Sequence, residues 1–156
     1  WLTPSRFARL ESLSLVPDRH PCCDADRRWQ VWETFRRNAL VHIRAAALDM
    51  DSENWLRPEG DVFPGDLRQI EEITAEPDPL KRDWAMDELR FQRLDDLSVG
   101  HTFDFDALIL YKLRLLITEK WVGLSLEKGR NELDEIAASG MESAEERRSV
   151  VELQTE

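Results

Sequence analysis

Apolar residues recur at every third or fourth position in several separated stretches of the chain, and no stretch alternates strictly between apolar and polar. That spacing matches one face of an α-helix and not the two-residue repeat of a half-buried strand. The pattern predicts an all-α protein, a helical bundle containing a long antiparallel helical hairpin. A first helix opens at Thr3-Pro4, a capping hydroxyl followed by proline at the first helical position, and runs to about Ser14. The second is predicted from about Arg27 to Leu48, where Trp29, Trp32, Phe35, Ala39, Ile43 and Ala46 form one stripe. Arg37 and Arg44 project from the opposite side, with Asn38 and His42 at its edge. A loop containing Pro58, Gly60, Pro64 and Gly65 leads to a short helix from Asp66 to about Ala75. A fourth helix opens at Asp78-Pro79, runs to about Ser98 and is stopped by Gly100, which is suited to the left-handed conformation.

Asp104 caps the fifth helix, and the spacing of Phe103 and Leu108 predicts a hydrophobic staple there. From Leu108 to Ile117 this helix is apolar nearly all round, the mark of a central helix packed on several sides, and its pattern extends to about Ala138. With only a few residues between them, the fourth and fifth helices should form the hairpin. Residues 1–138 thus read as one helical domain and 139–156 as an acidic tail, either a frayed helix or a flexible end. A chain that begins with Trp1 is expected to be part of a longer protein.

Proline placement and composition support this division. Every proline lies at or before Pro79, so the longer uninterrupted helices belong to the second half. Leucine occurs 21 times, more often than Val, Ile and Thr combined, against the preference of sheets. The net charge of −11 supplies no basic excess for nucleic-acid phosphates. No run approaches the roughly 18 apolar residues of a membrane span, so no direct membrane insertion is expected. Residues 131–156 hold two basic residues against eight acidic ones.

Candidate chemistry is sparse. Asp49-x-Asp51-x-Glu53 resembles the start of a calcium loop but has Asn54 where glycine is needed and Gly60 where the bidentate Glu belongs. Adjacent Cys22 and Cys23 lack the spacing of a zinc site, and His20-Pro-Cys-Cys-Asp24 reads as a polar loop with free thiols. Asp95, Asp96, His101 and Asp104 could gather at one end of the hairpin as a metal or acid–base cluster, but such carboxylates more often cap helices. Trp29, Trp32, Trp84 and Trp121 read as core or hairpin packing before interface anchors, Trp1 and Trp55 as exposed or covering a missing neighbour. Arg36, Arg37 and Arg44 are either a solvated face, with a Glu33–Arg37 pair one turn apart, or an arginine-bearing contact surface. No catalytic residue, cofactor or metal ligand is assigned.

Two segments carry a family resemblance. Glu33-Thr-Phe-Arg-Arg-Asn38-Ala-Leu-Val-His-Ile43-Arg44-Ala45, followed by Leu56-Arg-Pro-Glu-Gly60, resembles the C/d-type central-stalk component of V-type ATPases. That family carries an Asn, an Arg-Ala pair about two turns on, and a Leu/Ile-Pro-Gly-Gly-like loop, which here reads Arg57-Pro58-Glu59-Gly60. The second segment runs from Gly100-His101-x-Phe103-Asp104 through Leu108, Tyr111, Leu113, Arg114, Leu115, Ile117, Glu119, Lys120 and Trp121. It is similar to the signature of a bacterial family encoded beside the components of V-type ATPases.

The resemblance implies a non-catalytic coupling subunit, not an enzyme, that links the rotor shaft to the membrane ring during ion transport. It implies partners among the shaft and ring subunits, and a cytoplasmic location held at the inner membrane through the complex. Arg37, Asn38, Arg44, His101 and Asp104 are then the partner-contact candidates. The alternatives are a small helical metal-binding enzyme using His101, Asp104 and the Asp95-Asp96 pair, and a helical interaction module with unrelated partners.

Overall fold

Local capping accounts for most helix starts in the computed structural model, which describes residues 2–17, 20–58, 61–124, 129–131, 133, 134 and 136. Helix α1 spans Pro4–Glu11, and the Thr3 hydroxyl accepts the Arg6 N–H. Helix α4 spans Pro79–Ser98, with the Asp78 carboxylate accepting from Leu80 and Lys81. Helix α5 spans Phe105–Val122, and Asp104 accepts the Ala107 N–H at 2.8 Å. Between α4 and α5, Gly100 adopts φ +86° as its sequence position predicts. No strand occurs among the described residues.

Helix α2 spans Asp24–Ala47 and begins ahead of the expected Arg27. Its N-cap residue, Cys23, supplies no side-chain cap. The early turn is satisfied from elsewhere: Asp106 at the start of α5 accepts the Ala25 N–H at 2.7 Å, and Asp26 folds back to accept the Cys22 N–H at 2.8 Å. At the other end, Asp49 takes φ +53° while Asp49 and Met50 donate backbone N–H groups to the Ala46 and Ala45 carbonyls. This is a Schellman stop, and the Asp51 carboxylate then accepts the Glu53 N–H where the chain enters the Glu53–Trp55 turn. The apparent calcium-loop carboxylates at 49 and 51 are therefore parts of a chain reversal. Helix α3 spans Pro64–Thr74 and buries Ile70 completely.

The core lies among α2, α3 and α4, which pack on one another, and α5 adds Ile109, Leu110, Leu113 and Ile117. Trp29 and Trp32 are buried as expected, their ring centroids 5.4 Å apart. The stripe on α2 holds through Ala39 and then leaves the core, with Ile43 only partly buried and Ala46 exposed.

Several expectations are corrected. Trp84 is 59 % exposed and not core. Phe103 is 87 % exposed, so it forms no staple with Leu108. Helix α5 is not buried all round, because Tyr111 and Leu115 face solvent. It also ends at Val122 and does not continue to Ala138 as one helix; Gly123 follows it, and glycine carries the lowest propensity of any residue except proline. Helices α4 and α5 meet where Arg114 donates to Asp95 at 2.6 Å and to the Ser98 hydroxyl at 2.9 Å.

The chain divides into two compact units, Trp1–Thr118 and Glu119–Glu156. The first holds the core. In the second, the Lys120 ammonium lies 5.0 Å from the centroid of the Trp121 ring. Trp1 and the proposed tail at 139–156 lie outside the described residues, as do Glu59 and Gly60 of the loop that carried part of the resemblance.

Candidate functional site

The middle of α2 presents Arg36 and Arg37 side by side, with Arg44 two turns beyond Arg37 and so on the same face. The segment after the Glu53–Trp55 turn brings Arg57 to that face, and α4 brings Arg82 from its first turn and Arg90 from its middle. Together they line an open cleft of about 710 Å³ whose lining residues include one acid, Asp83.

Beneath the cleft lies a charge cluster that joins α2 to α4. Glu33 is fully buried, and its Oε1 accepts from Arg36 at 2.7 Å, Arg37 at 2.9 Å and Arg90 at 2.8 Å. Its Oε2 accepts further bonds from Arg36 and Arg90, and Arg90 also donates to Asp87 at 2.7 Å. Burial alone would push the Glu33 carboxyl up; the Arg36 and Arg90 guanidiniums outweigh it and hold the group at about 2. Burial likewise opposes the charge on Arg90, whereas Glu33 and Asp87 keep its pKa raised. The solvated-face reading of Glu33 and Arg36 is thereby corrected. Arg36 is buried, and the Glu33–Arg37 contact is one arm of an interior network.

Asn38, marked in the sequence as a contact candidate, is itself buried. Its side-chain amide donates to the Arg57 carbonyl at 2.8 Å and accepts the Arg57 N–H at 3.0 Å, clamping that segment to α2. Asn38 therefore serves the cleft by positioning Arg57, which also donates to the Pro17 carbonyl. Arg44 is exposed, and its guanidinium makes no hydrogen bond or ion pair among the described residues. Adjoining the cleft is a shallow, largely apolar hollow lined by Val41, Ala45, Leu48, Met50 and Trp55, with the charged Arg44 and Asp51 also in its lining. Leu48 and Trp55 are each 68 % exposed.

His101 and Asp104 come together elsewhere in the fold, with Nδ1 and Oδ2 2.7 Å apart. With Asp106 they place three potential ligand atoms within 4.8 Å of one another. Asp95 does not join them and pairs with Arg114 instead. Both carboxylates of the cluster already serve backbone groups, Asp104 at Ala107 and Asp106 at Ala25, so helix capping accounts for the gathering. The hydrogen bond to Asp104 raises the His101 pKa, while the Ala107 N–H and then His101 lower that of Asp104. A group raised in the folded state contributes stability that is complete below its unfolded value of 6.5 and is lost as pH climbs through its folded value. By NMR titration His101 should turn over above pH 6.5, and Asp104→Asn should bring it back down.

Cys22 and Cys23 are half-buried free thiols. Burial, with help from Asp26, pushes Cys22 up to about 11, and burial raises Cys23 further. Both remain protonated near neutrality, which suits the polar-loop reading.

Fold and site together define an all-helical protein with an arginine-lined cleft over a buried ion cluster. Residues 37–142 match the family described as protein of unknown function (DUF2764), and the chain belongs to that family. No curated protein and no solved structure matches the chain. Periodicity on α2 sufficed to single out Arg37 and Arg44. Arg57, Arg82 and Arg90 were missed because they lie on other segments and share no spacing with α2.

Proposed function

We propose that this chain is a non-catalytic coupling subunit of a V-type rotary ATPase, docking between the rotor shaft and the membrane ring to serve ion transport. The observation that carries the reading is the junction at Arg44. Arg37 and Arg44, both in the segment that resembles the V-type central-stalk component, line the cleft together with Trp55, and the exposed Leu48 and Met50 lie beside it. Exposed Trp and Arg grouped around an apolar hollow are the composition of an interface, where a few such side chains carry most of the binding energy. The family match from 37 to 142 includes most of both segments that bear the resemblance. In this reading α4 and α5 form a stiff antiparallel hairpin, supported by the contacts of Arg114 with Asp95 and Ser98. His101 and Asp104 contribute a second contact region at the start of α5. The protein is held at the cytoplasmic face of the membrane through its partners; no helix among the described residues is long and apolar enough to cross a membrane.

A tagged chain expressed in its native cells should co-purify stoichiometrically with V-type shaft and ring subunits. The double charge reversal Arg37→Glu, Arg44→Glu should lower that recovery at least about tenfold while circular dichroism shows unchanged helicity. Recovery of the tagged chain without any ATPase component would overturn the proposal, and unchanged recovery of the double variant would remove the cleft from it.

A further inference from the structure

We propose that the arginine cleft is also a binding site for a nucleotide polyphosphate, with Trp55 stacking on the base and the guanidiniums holding the phosphates. This goes beyond the docking reading and requires no partner protein.

The first argument is charge placement. The chain carries a net −11, yet Arg36, Arg37, Arg44, Arg57, Arg82 and Arg90 converge on one concavity. The acids near them are Asp83 on the wall, Asp51 in the adjoining hollow and the buried Glu33 and Asp87, four carboxylates against six guanidiniums. Like charges drawn together at a surface cost energy that a bound polyanion relieves. Structural ion pairing accounts for Arg36, Arg37 and Arg90, which meet Glu33 and Asp87. It does not explain the remaining three, Arg44, Arg57 and Arg82.

The second argument is donor availability. Among the described residues the Arg44 guanidinium gives no hydrogen bond, while the guanidiniums of Arg37, Arg57 and Arg82 each commit a single nitrogen, to the Glu33 carboxylate and the Pro17 and Glu76 carbonyls respectively. Their other N–H groups are free for oxygen acceptors, and a guanidinium presents them as a planar fork that matches phosphate two bonds at a time. Asn38 holds the Arg57 backbone in register, so that side of the cleft is preformed.

Size and shape supply the third argument. At about 710 Å³ the cleft falls within the range of small-molecule sites. It is too broad for a lone inorganic phosphate. Trp55 stands 68 % exposed at the junction with the apolar hollow, offering a flat face on which a purine or pyrimidine can stack.

Isothermal titration calorimetry on the full chain tests this with ATP, ADP, inorganic tripolyphosphate and a deca-glutamate peptide as probes. ATP should bind saturably at one site per chain, with tripolyphosphate weaker. Arg44→Ala and Arg82→Ala should each weaken ATP about tenfold; Arg44 has no structural bond to lose, so its variant reports on the ligand alone. Trp55→Ala should weaken ATP severalfold and leave tripolyphosphate unchanged. Absence of saturable ATP binding would overturn the site, as would unchanged ATP affinity in Arg44→Ala. Equal effects of Trp55→Ala on both probes would overturn the nucleotide assignment, and tighter binding of deca-glutamate than of ATP would make the cleft an acidic-peptide site instead. Nucleotide binding with no co-purifying ATPase, or the reverse, separates this inference from the docking proposal.

Discussion

Glu33→Gln should destabilise the protein by about 3–5 kcal/mol, the loss expected when one member of a buried ion cluster is removed and its partners stay charged. Arg36, Arg37 and Arg90 all donate to this carboxylate, and Arg36 and Arg90 are buried. The glutamine keeps the shape and one acceptor oxygen but removes the charge that the guanidiniums share, while Asp87 alone faces Arg90. Urea denaturation followed by circular dichroism measures the change; a loss under about 1 kcal/mol would show that water reaches the cluster and screens it. The pH dependence follows from the same group. Its pKa is depressed from 4.5 to about 2 in the folded state, so its contribution is complete above pH 4.5 and is lost as pH falls towards 2. Wild-type stability should decline across that window with a slope that Glu33→Gln lacks. Replacing Glu33, Arg36, Asp87 and Arg90 together by apolar residues of similar volume should recover much of the loss, because the buried charges then leave as a set and the half-exposed Arg37 can turn to water.

Trp32→Ala should cost a comparable amount, about 3–5 kcal/mol, since a large fully buried aromatic is removed from a packed interior. Trp32 is 0 % exposed, and its indole N–H donates to Asp66 in the first turn of α3 at 2.5 Å. That helix has no side-chain N-cap, so this bond, together with Ile70, ties it to α2. Trp32→Phe separates the two contributions: it keeps most of the apolar contact and deletes the bond to a charged acceptor, worth about 1.5–3 kcal/mol. Trp29 supplies the control. It is equally buried, but its indole N–H has no partner among the described residues. Trp29→Phe removes an unsatisfied donor and should be distinctly milder than Trp32→Phe. Equal losses in thermal or urea melts would show that the Asp66 bond adds nothing beyond packing.

These two positions also show where sequence reading works and where it stops. Trp29 and Trp32 were placed in the core by helical spacing alone, because a stripe three and four residues apart on α2 had to face something. Trp84 reads as core or hairpin packing only because it falls on a helix, and it is 59 % exposed. Spacing tells which residues share a face, not whether another element covers that face, and the part of α4 bearing Trp84 is left open. Glu33 and Arg36 have the opposite history. A charged pair one turn apart on a helix ordinarily faces water, and nothing local distinguishes this one. What buries it is Arg90, 57 positions along the chain, whose guanidinium reaches the same carboxylate.

Of the marked contact residues, Arg37, Asn38 and Arg44 come to one cleft, and His101 and Asp104 pair with each other at a separate place. Asn38 shares the motif but is a clamp on the chain at Arg57 and not an exposed contact.

What the sequence determined by itself was the set of helices and most of their ends: Thr3, Asp78 and Asp104 as caps, Gly100 as a stop, and the stripe along α2. Those features depend on atoms within about four residues of one another, a distance over which spacing and propensity are reliable guides. Tertiary structure alone decided that α2 starts early on a cap lent by Asp106, that Glu33 is interior, and that arginines from three segments share one cleft. Each of these joins groups far apart in the chain, and local sequence carries no record of which distant side chain will supply the missing charge or hydrogen bond.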